Sequence, residues 1–348
     1  MKKNLISEFG EMRAAGARPL VAGWLWAVAA MVGTMVLLGG ATRLTHSGLS
    51  MVQWQPLMGI LPPLNAIAWG QVFDLYKDYP EYREINQGMT LDEFKSIFYF
   101  EYAHRLLGRT VGLVFALPFF WFLFTGRLER RRRLPLAGLL LLGGLQGLIG
   151  WWMVKSGLVD HPDVSQYRLA VHLGLAFAIL AGLIWLALDL SSSPARGRSF
   201  HGYRLASLLA VAVFLQVLSG ALVAGLDGGL VYNSFPMMNE YWLPPELSTL
   251  RPAWRNLFEN PVTAQFDHRI GAYICTALVA GLWWRLRQAA HRPAVRLALY
   301  LTTAALVLQL ALGITTLLWA VPVPLAVLHQ GGALLLFSAS LLLAHRLR

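Results

Sequence analysis

The sequence predicts an all-α polytopic membrane protein: eight transmembrane helices arranged as two pseudo-symmetric four-helix bundles. Composition is the first observation behind this expectation. Of 348 residues, 56% are hydrophobic and only 14% charged, and the mean hydropathy is +0.52. The second is the presence of eight apolar stretches, each near the roughly 20 residues that cross about 30 Å of hydrocarbon. The third is a recurrence: His104 and His172 in the first half, and His268 and His329 in the second, each stand at the outer end of every second stretch.

The stretches run over 21–42, 103–124, 135–154, 168–189, 205–225, 267–286, 297–319 and 325–344. Spanning lipid with them requires helices, because strands would leave an open sheet edge. The first stretch is too long, and too embedded in a repeating pattern, to be a cleaved signal peptide. Ahead of the second, Thr90-Leu91-Asp92-Glu93 reads as a capping box. One helix therefore enters the membrane from an external extension and carries Glu101 and His104, with no strong breaker before Pro118. In the third, Gly143, Gly144, Gly147 and Gly150 mark a face of small residues, and Gly313 stands alone in the seventh. Removing side chains lets helices approach or leaves room for a flat ring. The sixth has its own start signal, Asn260 as N-cap and Pro261 at the first helical position. The outer loops over 43–102 and 226–266 are long enough to form a lid or a docking surface, whereas 320–324 is a tight turn containing proline.

An even number of spans returns each half to the same orientation, so the halves form a parallel repeat. His104-Arg105 is echoed by His268-Arg269, and Gly40 to Pro56 is shadowed by Gly220 to Pro236 at an offset of 180. Gln146 lies 42 residues after His104, and Gln309 lies 41 after His268. We divide the chain into 1–190 and 191–348, meeting at the polar linker 191–204.

Charge divides by side. Sorted by alternating loops, Lys and Arg fall 18 on the N-terminal side and 11 on the other, and acids fall 4 and 14. Arg127, Arg130, Arg131, Arg132 and Arg133 crowd one short loop on the basic side, and Arg196, Arg198, Arg285, Arg287 and Arg292 mark the next two. This is the positive-inside pattern, which places both termini in the cytoplasm and the chain in the cell (inner) membrane. The net charge of +11 is thus a topology signal, with some attraction to anionic lipid, and nucleic-acid binding is excluded. Cys275 is the single cysteine, so no intramolecular disulfide forms, and no CxxCH motif for covalent haem attachment exists.

Two histidines facing each other inside a four-helix bundle are what a planar metallo-macrocycle needs as axial ligands. His104 with His172, and His268 with His329, supply that arrangement twice. The alternative for any one of them is a hydrogen bond to a neighbouring helix or a place in headgroup water. Zinc fits less well, since its tetrahedral sites need three or four ligands together. Arg105, Arg269 and Arg168 lie beside the histidines, with Arg43 and Arg109 further off. Each either pairs with a carboxylate of the ring or snorkels to headgroups. The repeat breaks at Glu101: three residues before His104 it is a carboxylate, whereas Gln265 stands three before His268. Residues at i and i+3 share a helix face. A carboxylate there accepts a proton or stabilises positive charge near the ring, unless it is simply paired with Arg105.

These motifs resemble a known family. Gly39-Gly40-Ala41-Thr42-Arg43-Leu44-Thr45-His46-Ser47-Gly48-Leu49-Ser50, Phe100-Glu101-Tyr102-Ala103-His104-Arg105 and Phe266-Asp267-His268-Arg269 are similar to the heme A synthase family. The resemblance covers essentially all eight spans. It is closest to the branch, found in mitochondria and related bacteria, without a cysteine pair in the first outer loop. It implies oxidation of the C8 methyl of heme O to a formyl group, giving heme A for terminal oxidases. His104, His172 and Arg105 then bind the substrate haem, with Glu101 as the catalytic group. His268, His329 and Arg269 hold heme b (iron-protoporphyrin IX) as cofactor. Implied partners are a heme O-producing enzyme, an electron carrier and membrane lipid, and a homo-oligomer is left open. The rival readings are a bis-His di-haem cytochrome b carrying electrons, or a non-catalytic haem carrier or oxidase assembly factor. The matched depth of the histidines argues against stacking haems across the bilayer.

Overall fold

Helices of 25 to 34 residues account for all eight apolar stretches. The computed structural model describes residues 12–53, 60–159, 162–191, 200–287 and 292–348. Its long helices are α1 (Arg18–Leu44), α2 (Leu91–Phe124), α3 (Arg130–Ser156), α4 (Gln166–Ser191), α5 (Phe200–Gly225), α6 (Pro261–Leu286), α7 (Pro293–Leu318) and α8 (Val323–Leu347). Seven are long and apolar enough to cross a membrane. The eighth, α6, matches them in length but carries Gln265, Asp267, His268 and Arg269 near one end and Arg285 at the other. The described residues contain no strand beyond one isolated bridge, Met238 to Tyr241.

The helices pack as two rings. In the first, α1 lies against α2 and α4, and α3 closes against α4; in the second, α5 lies against α6 and α8, and α7 closes against α8. Each ring has one neighbouring pair that packs sparsely, α2 with α3 and α6 with α7. A seam of α1, α4, α5 and α8 joins the rings, with Phe177 and Phe214 on the ring of Phe337 at its centre. Lipid is as apolar as leucine, so this seam is held by close packing and not by expulsion of water. Asp189 of α4 closes its inner end, accepting from Arg348 and lying 2.9 Å from His345 Nε2. At the outer end, Arg43 donates to the Ala224 carbonyl and pairs with Asp227.

Helix starts follow the sequence signals. Thr90 and Glu93 form the expected reciprocal cap on α2, which then continues through Pro118 to Phe124. Asn260 accepts from the amides of Val262 and Thr263 to open α6. The basic cluster differs from expectation. Arg130 to Arg133 form the first turn of α3 and not a loop. Positive charge there opposes the helix dipole. Glu129 offsets it, pairing with Arg131 and Arg132 and also with Arg18 of α1. The linker falls largely on 192–199, which with Arg196 and Arg198 lies outside the described residues, as does Pro56.

Both long loops fold onto the outer ends. The first carries two short helices, Ala66–Lys77 and Pro80–Glu84, and a small core of Trp69, Phe73, Tyr76, Phe94 and Phe98. Within it the Tyr76 hydroxyl donates to Glu81 at 3.0 Å and accepts from Asn86 at 2.7 Å. Burial pushes the Glu81 carboxyl up to about 7. The second loop pins the α7–α8 turn, where Ala320 and Val321 both take left-handed backbone at φ 53° and 59°. That conformation is costly for a β-branched residue. Asn233 holds it by donating to the carbonyls of Leu317 and Gly229, each at 2.8 Å.

Candidate functional site

The four histidines share one depth. His104, His172, His268 and His329 stand 20, 19, 18 and 18 residues from the inner ends of their helices. At about 1.5 Å per residue this is ~27–30 Å, the outer edge of the hydrocarbon.

Each imidazole lies against a glycine of the preceding long helix. A Cβ built on Gly39 would sit 3.0 Å from His104 Nε2, and one on Gly150 would sit 2.9 Å from His172 Cε1. On Gly220 it would meet His268 Cε1 at 3.1 Å, and on Gly313 His329 Cε1 at 2.7 Å. Four glycines thus serve as shelves for four rings. Gly143, Gly144 and Gly147 do something else: a Cβ on any of them meets nothing within 4 Å, so they leave space and do not draw helices together.

A glutamine accompanies three of the shelves. Gln146 donates to the His172 carbonyl at 3.0 Å and lies 3.4 Å from its Nε2. Gln216 donates to the His268 carbonyl at 2.7 Å and lies 3.1 Å from its Nδ1, and Ser219 stands 3.3 Å from the same nitrogen. Gln309 lies 3.4 Å from His329 Nε2. In each helix the glutamine precedes the glycine by four residues: Gln146 and Gly150, Gln216 and Gly220, Gln309 and Gly313. One face of each helix therefore presents both. In α1 the same spacing holds Met35 and Gly39, a thioether in place of the amide. Sequence reasoning marks Gln146 and Gln309 as repeat positions but misses Gln216 and the shared four-residue spacing, which was there to be read.

The structure brings the second pair together directly. The His268 and His329 ring centroids are 6.4 Å apart with planes at 77°. Two imidazoles sharing one iron at about 2 Å per metal–nitrogen bond, each nitrogen about 1.2 Å from its ring centre, stand about 6.4 Å centre to centre. Ser219 Oγ can accept from His268 Nδ1, which would leave Nε2 for ligation, whereas the Gln216 amide nitrogen beside the same atom is a donor. Nδ1 of both His172 and His329 is buried without a hydrogen-bond partner. His104 and His172 stand on α2 and α4 of the first ring, against Gly39 of α1 and Gly150 of α3. Among the described residues no group of three or more His, Cys, Asp or Glu side chains converges on a metal position. The four imidazoles, with His268 and His329 paired, are a donor type that suits a planar macrocycle.

Glu101 and Gln265 occupy matching places with opposite polarity. Glu101 is buried, and its Oε2 accepts from the Ser50 hydroxyl and the Met51 amide, both at 2.7 Å. Its Oε1 accepts from Arg105 at 2.6 Å. Gln265 instead donates to the carbonyls of Gly228 and Tyr232 at 2.8 and 3.1 Å, and accepts from Arg269 at 3.1 Å. The carboxylate faces donors of the first loop and the amide faces acceptors of the second. The pairing with Arg105 is therefore real, and Glu101 holds the first loop onto α2.

The arginines beside the histidines also contact the loops. Arg105 donates to the Met51 and Gln53 carbonyls besides Glu101. Arg269 donates to the carbonyls of Tyr232, Ser234, Pro236 and Met237. Both guanidinium groups thus hold the outer loops through backbone carbonyls, while Arg269 Nε is buried without a hydrogen-bond partner. Arg168 donates to the Trp152 carbonyl and stacks on its ring at 4.5 Å.

Alanine at Gly313 is expected to displace the His329 ring, lowering haem affinity of the second site at least tenfold by titration. Alanine favours helix by about 1 kcal/mol over glycine, so lost helicity is not the cause. Gly138→Ala places a methyl in open space and serves as the control, with unchanged affinity.

The family model described as Cytochrome oxidase assembly protein (COX15-CtaA) matches residues 22–341. A protein named Heme A synthase from Nitrosospira multiformis is 51% identical over 94% of this chain and 93% of its own length. One of the same name from Agrobacterium fabrum is 51% identical over 93% and 89%, and one from Parvibaculum lavamentivorans 46% over 94% of both chains.

Proposed function

The chain belongs to the COX15-CtaA cytochrome oxidase assembly family, and from that premise we propose that it is a membrane oxidoreductase converting heme O to heme A. The observation that carries the reading is the 6.4 Å spacing of His268 and His329, with His104 and His172 on matching glycine shelves in the other half. In this reading the half over 191–348 keeps heme b between His268 and His329. The half over 1–190 takes heme O between His104 and His172.

Asymmetry between the halves supports the assignment. His172, His268 and His329 each have a glutamine amide close by, whereas His104 leans on the shelf that Met35 precedes. A ligand without that amide suits a site that must load and release its haem. Glu101, one turn above His104, is a carboxylate where the cofactor half has Gln265. Both of its oxygens are already bonded, which favours stabilising positive charge at the reacting methyl over accepting a proton. Arg105 and Arg269 hold the loops down, excluding water from each site. Oxidising a methyl to a formyl group removes four electrons from the substrate. With water as the source of the formyl oxygen, four protons leave as well; heme b held by His268 and His329 would supply one-electron redox chemistry, with an electron carrier outside the chain as acceptor.

The test is complementation. Cells that make heme O but lack this conversion should accumulate heme A when the chain is expressed, and extracts holding only heme O would overturn the proposal.

The inner membrane, with both termini cytoplasmic, completes the reading. Arg131 is exposed, and the native Cys275 is buried and gives little background. A cysteine at Arg131 should escape an impermeant thiol reagent in intact cells while one at Asp74 reacts. Strong labelling at 131 would reverse the orientation.

A further inference from the structure

We infer that residues 60–67 of the first outer loop form a foot that dips into the adjacent lipid leaflet and seats that loop on the membrane surface. The segment presents four large apolar side chains outward: Ile60, Leu61, Leu64 and Ile67 are 47%, 69%, 76% and 75% exposed. No Asp, Glu, Lys or Arg occurs from Leu44 to Phe73, an unusual run for a water-facing loop.

Placement supplies the occupant. The Tyr102 hydroxyl donates to the Ile60 carbonyl at 2.7 Å, tying the segment to α2 where that helix enters the apolar stretch. Above Tyr102, Tyr99 and Phe100 are exposed, and Tyr99 packs on Trp69 of the loop helix with ring centroids 5.6 Å apart. Tyr99 lies 18 residues before Leu117, five full turns, so both share one face of α2. Leu117 and Phe124 are exposed on that face, which makes it the lipid side. The foot thus continues a lipid-facing stripe, at the level where aromatic residues gather.

The loop helix Ala66–Lys77 is polarised along its axis in the matching sense. Trp69, Phe73 and Tyr76 face inward to the loop core, and Ile67 lies about 200° round from Trp69. Its first two turns are uncharged, while Asp74 and Lys77 pair at 2.7 Å in its last. An apolar start and a charged end suit a helix tilted with its N-terminus in the headgroup region, buried about 5–10 Å. The same loop supplies Ser50 and Met51 to Glu101, so a lipid seat fixes the lid over the first site.

The experiment uses the full chain in nanodiscs with an environment-sensitive fluorophore on a cysteine at position 64, and comparison probes at 117 and 74. Brominated phospholipid should quench the 64 probe to at least half the extent seen at 117, with iodide quenching several-fold weaker than at 74. Iodide quenching equal to that at 74, without bromine quenching, would overturn the inference. So would shielding from both quenchers, which would mean a second copy or another protein covers the patch. Failure of bromine quenching at 117 as well would overturn the membrane placement itself.

Discussion

Replacing His268 or His329 with alanine is expected to abolish the tightly held haem of the second half. Removing either member of a pair whose rings stand 6.4 Å apart leaves a single axial ligand. Purified variants should lose the heme b share of the low-spin bands in reduced-minus-oxidised spectra, with at least a tenfold fall in heme b per chain. The fold should persist, because both side chains stand on helices held by packing elsewhere: Leu282 and Leu343, on the same two helices, are fully buried. Helical circular dichroism and size exclusion check that. Normal heme b content in both variants would remove the cofactor assignment.

The second large effect is at Glu101. Glu101→Gln is expected to lower conversion of heme O about 100-fold, near 3 kcal/mol, as for loss of one well-placed electrostatic group. The amide also turns a donor toward the Ser50 hydroxyl, the Met51 amide or Arg105, so part of the loss can come from loosening the first loop. Ser50→Ala separates the two effects, because it removes one loop contact and keeps the charge. It should cost less than about threefold if charge dominates. Equal losses in the two variants would make Glu101 a clamp alone. Gln265→Glu is expected to weaken the second loop, by pointing a carboxylate at the Gly228 and Tyr232 carbonyls, without creating a second reactive site.

Much of this was legible in the sequence because lipid restricts the choices. Apolar length gave the helices, and Thr90 and Asn260 gave starts that the structure reproduces. The histidines were legible as ionisable groups in apolar stretches. Their glycine shelves were only half legible. Gly143, Gly144, Gly147 and Gly150 look alike in sequence, yet only Gly150 touches an imidazole. Helix rotation decides that, and small apolar residues carry too little pattern to fix it. The loop contacts of Arg105 and Arg269 were hidden for a related reason, since they are made to backbone carbonyls, which no side-chain pattern marks. The polarity of the Glu101 and Gln265 environments was hidden in the same way, since Met51, Gly228 and Tyr232 contribute only backbone groups.

The division of labour between the halves is tested most directly by extracting and chromatographing the haem bound to the purified wild-type chain. Heme b together with heme O, its hydroxylated form or heme A, in near-equal amounts, is the expected result. His104→Ala protein should then retain heme b and lose the second pigment. Heme b alone, filling both sites of the wild type, would contradict the assignment of one cofactor and one substrate.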